Sequence, residues 1–292
     1  MNRFTAICLA GLSLPLFFTC NNTEAPVEAG RGEAPVGREE APLMEYVLVW
    51  SDEFETAGLP DSTRWSYEAG DGCPDLCGWG NNELQYYSER RMENARVEAG
   101  RLIIEARREP LRSRNYTSAR LVTKGKGDWR YGRIEVRAKL PAGRGTWPAI
   151  WMLPTESAYG GWPASGEIDI MEHVGFVPDS IYGTVHTEAY NHLRGTQRSG
   201  AVAVADCESE FHIYAIEWSA DKIDFLIDNW RYFSFRREGS SFETWPFDRR
   251  FYLLLNIAVG GNWGGQQGVD ERIWPQRMEV DYVRVYQEVP AQ

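Results

Sequence analysis

The chain has 292 residues, of which 43% are hydrophobic and 13% aromatic, and carries a formal net charge of −11. That length and composition support one large domain with a substantial buried core. The acidity argues against nucleic acid or an anionic membrane as the main partner, because both require a basic surface, whereas a neutral partner fits.

The N-terminus reads as an export signal over residues 1–20. Arg3 precedes an apolar run from Phe4 to Phe18 that is too short for a comfortable membrane span. Cys20 follows this run and resembles the lipidated cysteine of bacterial lipoproteins, although Thr19 departs from the usual Gly, Ala or Ser. A secreted or cell-surface protein is therefore expected, with a lipid anchor at Cys20 and a free form both open. Residues 21–43, dominated by Asn, Glu, Ala, Pro and Gly, read as a flexible linker. The folded domain is expected over 44–288, opening on Tyr46-Val47-Leu48-Val49-Trp50. Cys73 and Cys77 are placed to close a small loop in an oxidising compartment. Zinc is disfavoured there because no His lies nearby. Cys207 is expected to be a buried free thiol.

Within the domain the dominant period is two. Short runs of strand character occur at 101–107 and 117–124, and Arg133 to Leu140 then alternates cleanly. Ile134, Val136, Ala138 and Leu140 share one face while charged groups take the other, as in a half-buried antiparallel strand. Further runs follow at 147–153, 180–187, 211–218, 222–228, 251–259 and 279–286. Asp228-Asn229 sits between two runs and predicts a hairpin turn. Long amphipathic helical patterns are absent, so an all-β antiparallel sandwich or jelly roll is expected.

The stretch Gly166-Glu167-Ile168-Asp169-Ile170-Met171-Glu172-His173 carries the chemistry. Alternation sets Glu167 and Asp169 opposite Ile168 and Ile170, but Glu172 is an odd step from Glu167 and would turn away. One extra residue near Met171, a β-bulge, returns Glu172 to the face of the other two acids. Their outer Cα atoms would then lie roughly 13 Å apart at about 3.3 Å per residue. Three acids on one face repel one another and are poor design for a merely solvated strand. Two carboxyls facing one sugar can act as nucleophile and proton donor, with the shorter Asp tuning which of them holds the proton. On spacing alone, retaining and inverting outcomes both stay open.

Glu167 to Glu172 resembles the signature of glycoside hydrolase family 16, in its bacterial laminarinase branch. The similarity continues through Trp50-Ser51-Asp52-Glu53-Phe54, Gly78-Trp79-Gly80-Asn81-Asn82-Glu83-Leu84-Gln85-Tyr86-Tyr87 and Gly145 to Met152. It then takes in Thr184-Val185-His186, Gly260 to Gly265 and Met278 to Val283. The resemblance implies a jelly roll with a concave substrate cleft. It also implies retaining hydrolysis of internal bonds in a neutral β-1,3-glucan, mixed β-1,3-1,4 linkages included. Glu167 matches the nucleophile, Glu172 the acid/base and Asp169 the assisting carboxylate. No catalytic cofactor and no protein partner are implied. Members with the extra residue at Met171 tend to be laminarinases.

Trp147 and Trp151, four apart on a strand, share a face that the resemblance places in the cleft; the plain alternative is a core pair. Trp263 stands among glycines, where a bulky ring is hard to explain as core, and is expected at the cleft lip. Asn82 and Arg120 match polar sugar contacts. Trp162 is expected in the cleft wall, and His186 either at the site or as a structural histidine. A structural calcium is implied on the convex side, held by the Asp281 side chain and backbone oxygens near Glu53 and Gly100. A non-catalytic glucan-binding lectin and a hydrolase of agarose, carrageenan or xyloglucan stand as alternatives.

Overall fold

A computed structural model describes residues 44–290. The expected signal, linker and Cys20 lie outside the described residues. Among those described, the only helical element is the short 3-10 turn Cys77–Gly80; the rest is strand and loop.

Two sheets stack face to face. The ten-stranded sheet runs in the order Trp230–Arg236, Lys222–Ile227, His212–Trp218, Gly132–Lys139, Gln276–Pro290, Arg101–Leu111, Arg114–Ser118 and Gln85–Tyr87. Met44–Asp52 and Ala95–Glu98 flank this path. The eight-stranded sheet runs Arg198–Ala203, Ser180–His186, Glu167–Glu172, Thr146–Pro154, Phe251–Val259, Arg120–Val122 and Ser66–Tyr67, with Asp128–Trp129 beside Phe251–Val259.

Side-chain alternation explains the layering. Ile134, Val136 and Ala138 of the first sheet are fully buried against Ile168, Ile170, Leu253, Leu255 and Ile257 of the second. The opposite face of the first sheet is laced with ion pairs. Arg133 meets Glu217 at 2.9 Å, Arg137 meets Asp281 at 2.6 Å and Lys139 meets Glu279 at 3.0 Å. The hairpin turn also forms as expected. Asp228 and Asn229 link two antiparallel strands with φ of 48° and 67°, a left-handed pair that Asp and Asn tolerate. Cys73 and Cys77 are joined by a disulfide, and Cys207 is a buried free thiol.

Three expectations need correction. The run 117–124 is not one strand. The chain leaves the first sheet after Ser118 and enters the second at Arg120, turning at the fully buried Ala119. No change in burial marks the crossover, because every residue from Tyr116 to Thr123 is buried. The sheets are also not purely antiparallel: Gln85–Tyr87 pairs parallel with Arg114–Ser118, which the long intervening chain permits. The last strand extends to Pro290, two residues past the expected boundary. Arg198–Ala203 gave no sequence signal because it is an edge strand with little burial on either face.

Candidate active site

The central feature is a bulge in the strand Glu167–Glu172. Against Thr146–Pro154, Asp169 pairs with Trp151 but Met171 pairs with Ile150, so two steps on one strand oppose one on the other. Against Ser180–His186, Asp169 pairs with Thr184 and Glu172 with Tyr182, three steps against two. Consecutive residues Ile170 and Met171 therefore both point into the core, at 1% and 0% exposure. The parity is reset, and Glu172 joins Glu167 and Asp169 on the outer face, away from the core. Two buried side chains hold the kink from beneath.

Neighbouring strands complete the site. His186, at the end of Ser180–His186, brings Nε2 to 3.4 Å from Asp169 Oδ2 and 3.8 Å from Glu167 Oε1. The Trp147 indole donates to Glu172 Oε1 at 3.1 Å. Trp263 packs edge-on to Trp147 at 5.7 Å and to Tyr182 at 5.0 Å. Its loop can fold back this far because a Cβ on Gly264 would lie 2.6 Å from the Gly260 oxygen and 2.8 Å from Trp147 Cβ. Trp162 stands over His186 at 5.8 Å and is 40% exposed.

Burial pushes all three carboxyls up, to about 8. For Glu167 and Glu172 repulsion from Asp169 adds to this, and His186 opposes it. Like charges this close titrate as a set, so the first proton lost makes the next harder to remove. As pH rises through that region, such an array passes through a state with a proton-holding carboxyl beside an ionised one. The arrangement costs stability, and the sign is fixed. A raised folded-state value means no penalty below 3.8 for Asp169, a growing penalty as pH rises, and the full penalty above about 8. Asp169→Asn should therefore raise Tm by several degrees at pH ~8, at about 2–4 °C per kcal/mol for a domain of this size, and by much less at pH ~4. Thermal denaturation at both pH values checks this, and an equal gain at both would refute it.

The other expected contacts are distributed along the same face. The Trp151 indole donates to Asn256 Oδ1 at 2.7 Å. Arg120 is only 8% exposed and lies between two indoles, 4.5 Å from Trp79 and 4.6 Å from Trp151, with Nη2 on Glu68 at 2.7 Å. Each desolvated cation–π contact of this kind contributes up to about 2 kcal/mol. Asn82 is exposed at the loop and donates to Asn262 Oδ1 at 2.7 Å, linking two loops of the rim. Sequence reasoning missed Tyr182, Asn256 and His192. The last lies 4.9 Å from Trp162 and 5.2 Å from His186. Tyr182 and His186 alternate along one strand, a signal that was legible; the position of His192 depends on how its loop folds.

The expected calcium ligands lie on the other sheet. Asp281 sits at a register shift between Val280 and Tyr282. Pairing of Asp52 with Val283 and of Leu102 with Val280 brings the chain near Glu53 and Gly100 to the same place. The Asp281 carboxylate is held by Arg137 at 2.6 Å, and that of Glu53 by two bonds from Arg284 at 2.9 Å. Among the described residues, the one His, Cys, Asp and Glu group that converges tightly is Glu167, Asp169 and His186, within the carboxyl cluster itself.

Comparison with known proteins bears on this geometry. Residues 81–284 match the profile of glycosyl hydrolases family 16. The chain is 57% identical over 255 residues to a beta-glucanase of Rhodothermus marinus, covering 85% of this chain and 87% of that protein. The crystallographic laminarinase from Rhodothermus marinus superposes with a TM-score of 0.82 over 85% of this chain and 99% of that one. SCLam, a non-specific endo-beta-1,3(4)-glucanase, is 49% identical with a TM-score of 0.79, covering 85% and 93%. Profile, identity and superposition all extend along the folded domain that carries the bulged strand, and on that ground the chain belongs to glycosyl hydrolases family 16.

Proposed function

We propose that the protein is a retaining endo-β-1,3-glucanase that also accepts mixed β-1,3-1,4 glucans. The observation that carries this reading is the bulge at Ile170–Met171, which sets Glu167, Asp169 and Glu172 on one outer face. In this mechanism Glu167 attacks the anomeric carbon while Glu172 gives its proton to the departing glucan oxygen. Glu172 then takes a proton from water, which releases the sugar from Glu167 with net retention. Asp169, within reach of Glu167 and His186, holds the nucleophile and shifts its proton affinity. Trp147, Trp151, Trp162 and Trp263 supply apolar faces for glucose rings, and Asn82, Arg120 and His186 supply polar contacts. The substrate class is supported by the relatives named beta-glucanase, laminarinase and non-specific endo-beta-1,3(4)-glucanase. The acidic net charge disfavours sulfated polymers.

A product profile across laminarin, lichenan, agarose and xyloglucan tests the substrate. Short laminari-oligosaccharides should appear from laminarin, with lichenan cut as well. Cleavage of agarose but not laminarin would overturn the assignment, and binding without new reducing ends would make the protein a lectin.

Export, with lipidation at Cys20 as its anchored form, belongs to the same reading and rests on the apolar run before that cysteine. So does a stabilising calcium at Asp281. There the backbone positions converge, but the one side-chain ligand is shared with Arg137, and calcium takes about 6–8 oxygens. A calcium site predicts that EDTA lowers Tm in the wild type but not in Asp281→Asn; equal response would remove it.

A further inference from the structure

Glu83, Gln85 and Tyr87 stand at alternate positions and all three are buried, at 6%, 0% and 0% exposure. Glu83 Oε2 accepts from Gln85 Nε2 at 2.5 Å and from the Tyr87 hydroxyl at 3.3 Å. The Tyr87 oxygen accepts from Asn256 Nδ2 at 3.0 Å, and Asn256 Oδ1 accepts from the Trp151 indole at 2.7 Å. A continuous chain of hydrogen bonds thus joins a buried carboxyl to an indole on the face that carries Asp169. None of the mechanism above uses it.

Donor and acceptor chemistry fixes its direction from both ends. An indole N–H can only donate, so the oxygen of Asn256 must face Trp151. The amide NH₂ of Asn256 then faces Tyr87, whose hydroxyl must donate onward. The Glu83 carboxylate closes the chain as acceptor. Reversing any link sets a buried donor against a donor, an expensive arrangement in a dry interior. Stacking on Trp151 traces to the same cluster. Arg120 lies between the Trp151 and Trp79 rings, and Trp79 packs on Tyr87 at 5.4 Å. The same segment is tied to the rim. Gln85 Oε1 accepts from the Val259 amide at 2.7 Å, just before the glycine loop that carries Trp263.

We propose that Glu83, Tyr87 and Asn256 form a positioning relay that sets the plane of Trp151 and thereby the affinity for glucan, without taking part in bond cleavage. The inference rests on the glucanase reading only in treating Trp151 as a sugar platform. These are positioning residues, because the relay touches neither the scissile bond nor Glu167 and Glu172.

Tyr87→Phe removes one oxygen and cuts the relay beside Glu83, and Asn256→Ala cuts it in the middle. Should one variant fail to fold, the other tests the same chain. In isotope-labelled protein either change is expected to move the Trp151 indole N–H resonance while that of Trp147 stays in place. The Trp151 signal is assigned by its loss in Trp151→Phe. On laminarin each should raise KM by about 10-fold while kcat changes less than twofold, the signature of lost uniform binding. In a Trp151→Phe background, Tyr87→Phe should have no further effect on KM, since the donor at the end of the relay is already gone. An unmoved Trp151 resonance in a folded variant, a fall in kcat at constant KM, or full additivity in the double variant overturns the relay. Failure of the wild-type protein to cut laminarin would instead remove the glucanase reading, and the resonance experiment would still decide the relay.

Discussion

Glu167→Gln is expected to abolish laminarin hydrolysis, lowering kcat by on the order of 10⁴-fold or more, while the fold and glucan binding persist. An amide is isosteric with the carboxyl, but it is a poor nucleophile toward the anomeric carbon and cannot neutralise the developing positive charge. Stability should rise, because a buried group whose charge is penalised is replaced by a neutral one. The role is tested most sharply by azide. In Glu167→Ala, azide can enter the vacated space and displace the glucan directly, with Glu172 protonating the leaving oxygen. One displacement inverts, so the product is the α-glucosyl azide. A β-azide from this variant, or retention of a substantial fraction of activity in Glu167→Gln, would remove Glu167 from the nucleophile role.

For Glu172→Gln the loss should depend on the leaving group. General acid catalysis contributes about 10²–10⁴-fold, and a glucan oxygen needs all of it. A dinitrophenyl glucoside departs without a proton, so its first step should survive and the glycosyl-enzyme should accumulate. Azide added to Glu172→Ala then attacks that intermediate and yields the β-azide, the opposite anomer to that from Glu167→Ala. The pH dependence has two limbs, because Glu167 must be ionised while Glu172 holds its proton, and the alkaline limb has a fixed sign. In the proposed mechanism Glu172 is protonated for the first step, and burial together with the charge of Asp169 pushes its carboxyl up to about 8. Wild-type turnover should fall as pH rises through that region, and the limb should vanish in Glu172→Gln with the activated substrate. A limb that survives there would assign the proton donor to another group of the set.

The face shared by Glu167, Asp169 and Glu172 was legible in the sequence because strand geometry is a parity rule. Glu172 is an odd step from Glu167, so a shared face requires an extra residue, and the structure places it where Ile170 and Met171 both turn inward. The same rule located the solvent face of 133–139 and the shared face of Trp147 and Trp151, while the residue types at Asp228-Asn229 marked the turn. Parity is silent on what covers a face. Glu83, Gln85 and Tyr87 alternate as plainly as any solvated strand, yet they are buried beside the distant strand that carries Asn256. Arg120, expected as a polar sugar contact, is a guanidinium held between two tryptophans, which no local pattern announces. The crossover at Ala119 leaves no local mark either, because every residue from Tyr116 to Thr123 is buried while the chain changes sheets. Short-range sterics write side-chain direction into the sequence, and long-range packing decides which of those directions meet water, another side chain or a substrate.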